Sequence, residues 1–176
     1  MQPSKTPLLT HDVIAQRVGE LADTIARDYA DKDLLLLLVL KGALVFGSDL
    51  MRRLPGRVAV DFVRARSYTG PNSSGQVRLL YTPSAPLADR HVLLVEDILD
   101  TGRTASFLQQ HLHGYQLGSL RLVTLLDKPS RRENELTADY TGFTIDNQFV
   151  VGYGLDYEEA HRELPAIHVL DNGAVK

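Results

Sequence analysis

The sequence predicts an α/β fold with a mainly parallel central sheet flanked by helices, and three observations carry that reading. Leu34 to Leu40 is an uninterrupted aliphatic run bounded by charge, the pattern of a strand buried on both faces. Val92 to Val95 and Leu120 to Leu126 repeat the pattern. Between these runs lie stretches with apolar residues at helical spacing, and strands that alternate with helices pack side by side through crossovers. At 176 residues, 44% hydrophobic and 23% charged, the chain fits a single domain, residues 1–176, with an ordinary buried core. It has no internal repeat and no low-complexity linker.

Taken in order, Thr10 is placed to cap a helix reaching about Tyr29, because Val13, Ile14, Val18, Leu21 and Ile25 share one face. The strand from Leu34 to Leu40 ends at Lys41-Gly42, and an apolar helical stretch runs from Ala43 to Arg53. Val58 to Val63 alternates as a strand does. Ser67-Tyr68 opens a segment to about residue 76 rich in Gly, Pro, Ser and Asn, a surface loop. Composition alone favours a plain connection there; the functional reading is a lid that excludes water. Val92 to Val95 leads into Glu96 and Asp97, then Asp100-Thr101-Gly102-Arg103-Thr104 opens a helix to about Gly114. Ligands of such sheets bind at the carboxyl ends of the strands, so Lys41-Gly42 and Glu96 to Thr104 are expected to face one cleft.

Several function classes are excluded by composition. The formal charge of -3 provides no global basic field for nucleic acid, and the longest apolar run is too short to span a bilayer. With no cysteine there is no disulfide framework and no thiolate metal site. The first ten residues lack the pattern of a signal peptide, and a cytoplasmic location is expected. The six histidines show no metal-ligand spacing, and Gly152 and Gly154 form a lone Gly-x-Gly, too little for a dinucleotide fingerprint.

The chemistry concentrates at the acidic strand end. Two neighbouring carboxylates closing a buried apolar strand repel one another and cost desolvation unless a cation or hydroxyl partner is supplied. Glu96 and Asp97 therefore suit a ribose, held directly or through hydrated magnesium. The hydroxyls and backbone N–H groups from Asp100 to Thr104 suit a phosphate at a helix N-terminus, the same geometry that caps the helix without ligand. Asp100 alone reads equally as a helix cap and as a general base. Arg103 is expected to face solvent and add only local positive charge.

Val92 to Thr104 resembles the phosphoribosyl-diphosphate signature of the type I phosphoribosyltransferases. Four further segments are similar to that family's hypoxanthine-guanine branch and stand in its order from Leu34 to Ile167. Leu40-Lys41-Gly42 resembles the pyrophosphate loop, whose first peptide bond can be cis. Ser67-Tyr68 resembles the start of the flexible catalytic loop, and Leu126-Asp127-Lys128 the strand end that reads the purine. Phe149 to Tyr157, followed by Arg162, resembles the purine and pyrophosphate hood. One departure is Ala43-Leu44, where many members carry a second glycine.

The resemblance implies Mg2+-dependent transfer of a phosphoribosyl group from phosphoribosyl diphosphate to hypoxanthine or guanine. The phosphoribosyl diphosphate residues would be Lys41, Gly42, Glu96, Asp97, Asp100, Thr101, Gly102, Arg103, Thr104 and Arg162. Magnesium would sit beside Glu96, Asp97 and Asp156, and Asp100 would be the base at purine N7. Lys128, Phe149, Val150 and Asp156 would bind the purine, within a hood around residues 128–165 of a fold whose hood is built from terminal segments. Without the resemblance Lys128 reads as a surface lysine in a basic run with Arg131 and Arg132, and Phe149 as a core aromatic. The resemblance further implies a homodimer or homotetramer, with no nucleic-acid or membrane partner. Two rivals stay open from sequence: a nucleotide sensor of the same fold that binds nucleic acid, and a same-fold enzyme for another base.

Overall fold

The computed structural model describes residues 1–67, 77–84 and 86–171. In chain order its elements are β1 (Gln2–Pro3), α1 (His11–Asp28), β2 (Leu34–Val39), α2 (Ala43–Arg53), β3 (Val58–Ser67), β4 (Val77–Tyr81), β5 (His91–Leu99), α3 (Arg103–Leu112), β6 (Ser119–Asp127), β7 (Tyr140–Thr144), β8 (Val150–Val151) and β9 (His168–Asp171). Six strands form the main sheet in the order β4-β3-β2-β5-β6-β7, and every neighbouring pair is parallel except β3 with β4. The parallel α/β expectation is met.

The period of two along a strand sorts the aliphatic runs between two cores. Leu34, Leu36 and Leu38 face α1 and α2, packing with Ile14, Leu21, Phe46 and Leu93. Leu35, Leu37 and Val39 face the other way, toward Leu94 and the α3 residues Ala105, Leu108 and Leu112. A strand with helices on both faces has no solvent side, which is why β2 is aliphatic throughout. Thr10 caps α1, its hydroxyl accepting from Val13 N–H at 3.4 Å.

One boundary differs from the sequence reading in a way that matters. β5 continues past Asp97 to Leu99, so Glu96 and Asp97 lie within it rather than closing it. On one side β6 stays paired, with Glu96 opposite Thr124 and Leu99 opposite Asp127. On the other side β2 pairs only as far as Val95, then turns away at Leu40. The last third of β5 therefore forms one wall of a notch.

A second sheet, β1-β9-β8, joins both ends of the chain: Gln2 pairs with Asp171 and Val150 with Val169, both antiparallel. The edge strands β4 and β7 and this small sheet are elements the hydrophobic pattern does not mark. No helix among the described residues is long and apolar enough to cross a membrane.

Gly47 lies on α2 where a Cβ would overlap the Leu38 side chain of β2. Helix propensity alone favours alanine by about 1 kcal/mol, but overpacking a filled core costs about 1–3 kcal/mol. Gly47→Ala is therefore expected to lower stability, measured as a lower midpoint in urea with an unchanged slope.

Candidate active site

A cavity of about 350 Å³ opens in the notch, lined by Val39, Leu40, Gly42, Ala65, Glu96 to Gly102, Thr104 and Ala105. Of the residues singled out from sequence, Gly42, Glu96, Asp97, Asp100, Thr101, Gly102 and Thr104 share this cavity. They come from the turn after β2, the exposed edge of β5 and the entry to α3. A larger cavity, at Tyr29, Lys32, Leu54 and Arg57, lies at the start of β2 and β3, the opposite end of the sheet.

Glu96 is buried and Asp97 half-buried, and neither is ion-paired with a basic side chain among the described residues. Burial pushes the Glu96 carboxyl well above its ordinary range, and the Asp97 charge adds to the rise. Asp97 is pushed up to about 6, again mainly by burial, with the Ile98 N–H and Arg162 acting against the rise and Asp156 with it. The Ile98 N–H donates to Asp97 Oδ1 at 3.0 Å. Burial that disfavours the charged form of both carboxyls is what a hydrated metal ion or ribose hydroxyls would relieve. Among the described residues no three His, Asp or Glu side chains converge on one point, so most ligands of an ion here would come from water and substrate.

Gly42 is set by close approach rather than by backbone angle, its φ being -61°. A Cβ there would overlap Asp97 Oδ2. Gly154 in turn has φ +98°, and its Cβ would overlap the Gly42 carbonyl oxygen. The turn at 152–154 is thus pressed against the turn at 40–42, whose Leu40-Lys41 peptide bond is cis. Tyr153 between the two glycines donates its hydroxyl proton to Asp49 of α2 at 2.5 Å. Of the lone Gly-x-Gly of the sequence, Gly154 makes this contact, while Gly152 lies against the Ala166 carbonyl; two glycines around a loop residue were the available signal.

Lys41, Asp156, Glu159 and Arg162 form one cluster at the mouth. Lys41 Nζ lies 2.8 Å from Glu159 Oε2, and Arg162 reaches Asp156 Oδ1 at 2.8 Å and Glu159 Oε2 at 3.2 Å. Another Arg162 nitrogen donates to the Gly154 carbonyl at 2.8 Å, while its Nε is buried without a partner among the described residues. Glu159, absent from the sequence reading, stands where Lys41 and Arg162 meet.

Asp100 faces Arg131 at 3.4 Å. Lys128 is buried, so the surface-lysine reading does not hold. Burial holds its pKa below the ordinary lysine value, the nearby Asp100 carboxylate opposing that shift. Its N–H donates to the Leu99 carbonyl at 3.0 Å, tying the end of β6 to the end of β5. Phe149 is 54% exposed and stands edge-on to Tyr157 at 5.7 Å, so the core-aromatic reading fails as well. Val150 is buried in β8. Arg103 points away from the cavity to pair with Glu133. Ser67 ends β3, whereas Tyr68 and the rest of the expected lid lie outside the described residues.

A mainly parallel sheet with an acid pair at its carboxyl edge, a Thr-Gly-x-Thr turn opening the next helix and a small second sheet is the type I phosphoribosyltransferase fold. The chain belongs to the phosphoribosyl transferase domain family, whose model matches residues 4–158. It is 42% identical over 167 residues to the hypoxanthine-guanine phosphoribosyltransferase of Streptococcus pneumoniae, covering 94% of this chain and 93% of that protein. A crystal structure of a hypoxanthine phosphoribosyltransferase from Staphylococcus aureus superimposes with a TM-score of 0.90 at 40% identity, covering 95% of this chain and 91% of that one. The Trypanosoma cruzi hypoxanthine phosphoribosyltransferase, in a ternary complex with substrates, gives 0.90 at 39% identity, with 96% of each chain covered.

Two expectations follow from this geometry. Gly42→Ala forces Asp97 or the turn to move, and a misplacement of about 1 Å at a site costs on the order of 10² in rate; kcat/KM for the phosphoribosyl donor should fall by that order while the melting temperature changes little. A carboxyl whose folded pKa lies above its unfolded value binds its proton more tightly when folded. Stability of the ligand-free protein should therefore fall as pH rises from about 4 through 6 on account of Asp97. Glu96→Gln should raise ligand-free stability at pH 8 by about 0.5–2 kcal/mol, read by denaturant titration, while weakening donor binding.

Proposed function

We propose that this chain is a purine salvage enzyme that transfers the 5-phosphoribosyl group from phosphoribosyl diphosphate to hypoxanthine or guanine, giving the nucleoside monophosphate and diphosphate. The observation that carries the reading is one notch that joins Glu96 and Asp97, neither ion-paired with a basic side chain among the described residues, to the helix-opening turn from Asp100 to Thr104, with the buried Lys128 near Asp100. Location in the cytoplasm and a homodimeric or homotetrameric assembly complete the proposal. Leu44 and Met51, seven residues apart and so on one face of α2, leave apolar surface exposed in support of the assembly.

Breaking the bond between C1′ and the diphosphate oxygen builds positive charge on the ribose and negative charge on the leaving group, and a catalyst must stabilise both as they form. Backbone N–H groups from Thr101 to Thr104 hold the 5′-phosphate, with the Thr101 and Thr104 hydroxyls beside them. Glu96 and Asp97 hold the ribose hydroxyls, and their negative charge lies where the sugar becomes cationic. Glu96, Asp97 and Asp156 would hold magnesium through its water shell, and the ion would supply positive charge to the leaving diphosphate. Lys41, Gly42 and Arg162 meet diphosphate oxygens, and to do so Lys41 and Arg162 give up their pairing with Glu159. Asp100 takes the purine N7 proton, which raises the nucleophilicity of N9 toward C1′. Lys128, a donor only, bonds the 6-oxo group and confronts the amino group of adenine. Phe149 offers its open ring face to the purine, beside the backbone of Val150.

The test is nucleotide formation with hypoxanthine, guanine, xanthine and adenine in parallel. Turnover is expected with 6-oxopurines and not with adenine, and Asp100→Asn should lower kcat by about 10²–10⁴ with donor binding retained. Donor binding without turnover on any base would instead assign the chain as a nucleotide sensor.

A further inference from the structure

We propose that Arg132 is a positioning residue for Asp100: its guanidinium fixes the backbone that carries the base, and Asp127 fixes the guanidinium. This rests on the reading of Asp100 as the base. In sequence Arg132 is one of a basic pair that looks like solvated surface, yet its side chain is only 10% exposed. One nitrogen, Nη1, donates to the Leu99 carbonyl at 3.1 Å and to the Asp100 carbonyl at 2.8 Å. The other, Nη2, is ion-paired with Asp127, the last residue of β6.

The stem contributes too. Gly102 has φ +82°, and a Cβ there would meet Arg132 Cδ at 2.9 Å and Asn134 Oδ1 at 2.6 Å, so the segment after Lys128 lies directly on the turn after Asp100. The Glu133 N–H donates to the Thr101 carbonyl at 3.0 Å, and the Lys128 N–H to the Leu99 carbonyl. Three consecutive carbonyls, Leu99 to Thr101, are thereby held from residues 128 to 133. Asp100 and Lys128 become parts of one unit, so the group that takes the N7 proton is kept in register with the group that reads the 6-position. The Asp100 carboxylate itself is left 41% exposed, with Arg131 at 3.4 Å and Lys128 nearby. Its aim therefore depends on the backbone beneath it. A planar fork with fixed donors holds two carbonyls and a carboxylate together, and a lysine ammonium cannot span them in the same geometry.

The experiment is a double-mutant cycle of Arg132→Lys with Asp100→Asn, read as kcat with hypoxanthine, as the dissociation constant of phosphoribosyl diphosphate and as melting temperature. Arg132→Lys keeps charge and most of the stem on Gly102, and Asp127→Asn is a second variant that loosens the same fork without touching Asp100. We expect Arg132→Lys to lower kcat 10- to 100-fold in the native background and less than 3-fold in Asp100→Asn, with donor binding changed less than 3-fold. Asp127→Asn should follow the same pattern with a smaller loss. Equal losses in both backgrounds, or native kcat in Arg132→Lys, would overturn the proposal. Failure of the underlying reading is seen separately, as full turnover by the Asp100→Asn single variant.

Discussion

The constraint on which the rest of the structure depends is the placement of two adjacent carboxylates in a half-dry notch where, among the described residues, neither is ion-paired with a basic side chain. Glu96 and Asp97 lie on β5 where β2 has already turned away, so the strand keeps β6 as its partner and opens its other edge to a ligand. Removing such charge from water costs several kcal/mol per ion after relaxation. The protein tolerates that cost because the two aliphatic cores on either face of β2 and β5 supply the stability. A site that is electrostatically unsatisfied when empty favours the occupied state, and its stability is lent to binding.

Around that acid pair the fold uses contact rather than charge to set positions. The turns at 40–42 and 152–154 touch through Gly42 and Gly154, and Asp97 sits where a side chain on Gly42 would be. Tyr153 ties the second turn to α2 through Asp49, so the helix that follows the first turn also braces the second. On the other side of the cavity, residues 128–134 brace the turn from Leu99 to Gly102. Each functional turn is thus held by a second stretch of chain far from it in sequence, which is how a loop site reaches the precision that transition-state stabilisation requires.

That arrangement explains how much was legible in the sequence. The inner strands were, because burial on both faces imposes an unbroken aliphatic run, and so was the acid pair, because charge directly after such a run is anomalous. β7, Tyr140–Thr144, carries Thr and Gly among its aromatic residues, and the β1-β9-β8 sheet pairs residue 2 with residue 171; neither leaves a local pattern. Lys128 and Phe149 took their roles only from the family resemblance, since a buried lysine and an exposed phenylalanine both invert what composition suggests. Arg132 and Glu159 were passed over for a related reason. The partners that tie them to the site, Leu99, Asp100 and Lys41, are distant in the chain, so residue type alone marks both as solvated surface.

The measurement that tests this account most directly is the number of protons released when magnesium and phosphoribosyl diphosphate bind at pH 7, obtained by calorimetry in buffers of different ionisation enthalpy. If the empty site raises the acid pair as its burial requires, binding must expel protons from it, and the native protein should release more than Glu96→Gln under the same conditions. Equal release by the two proteins would mean that Glu96 keeps one protonation state through binding, and would contradict the claim that the ligand relieves an acid pair raised by burial.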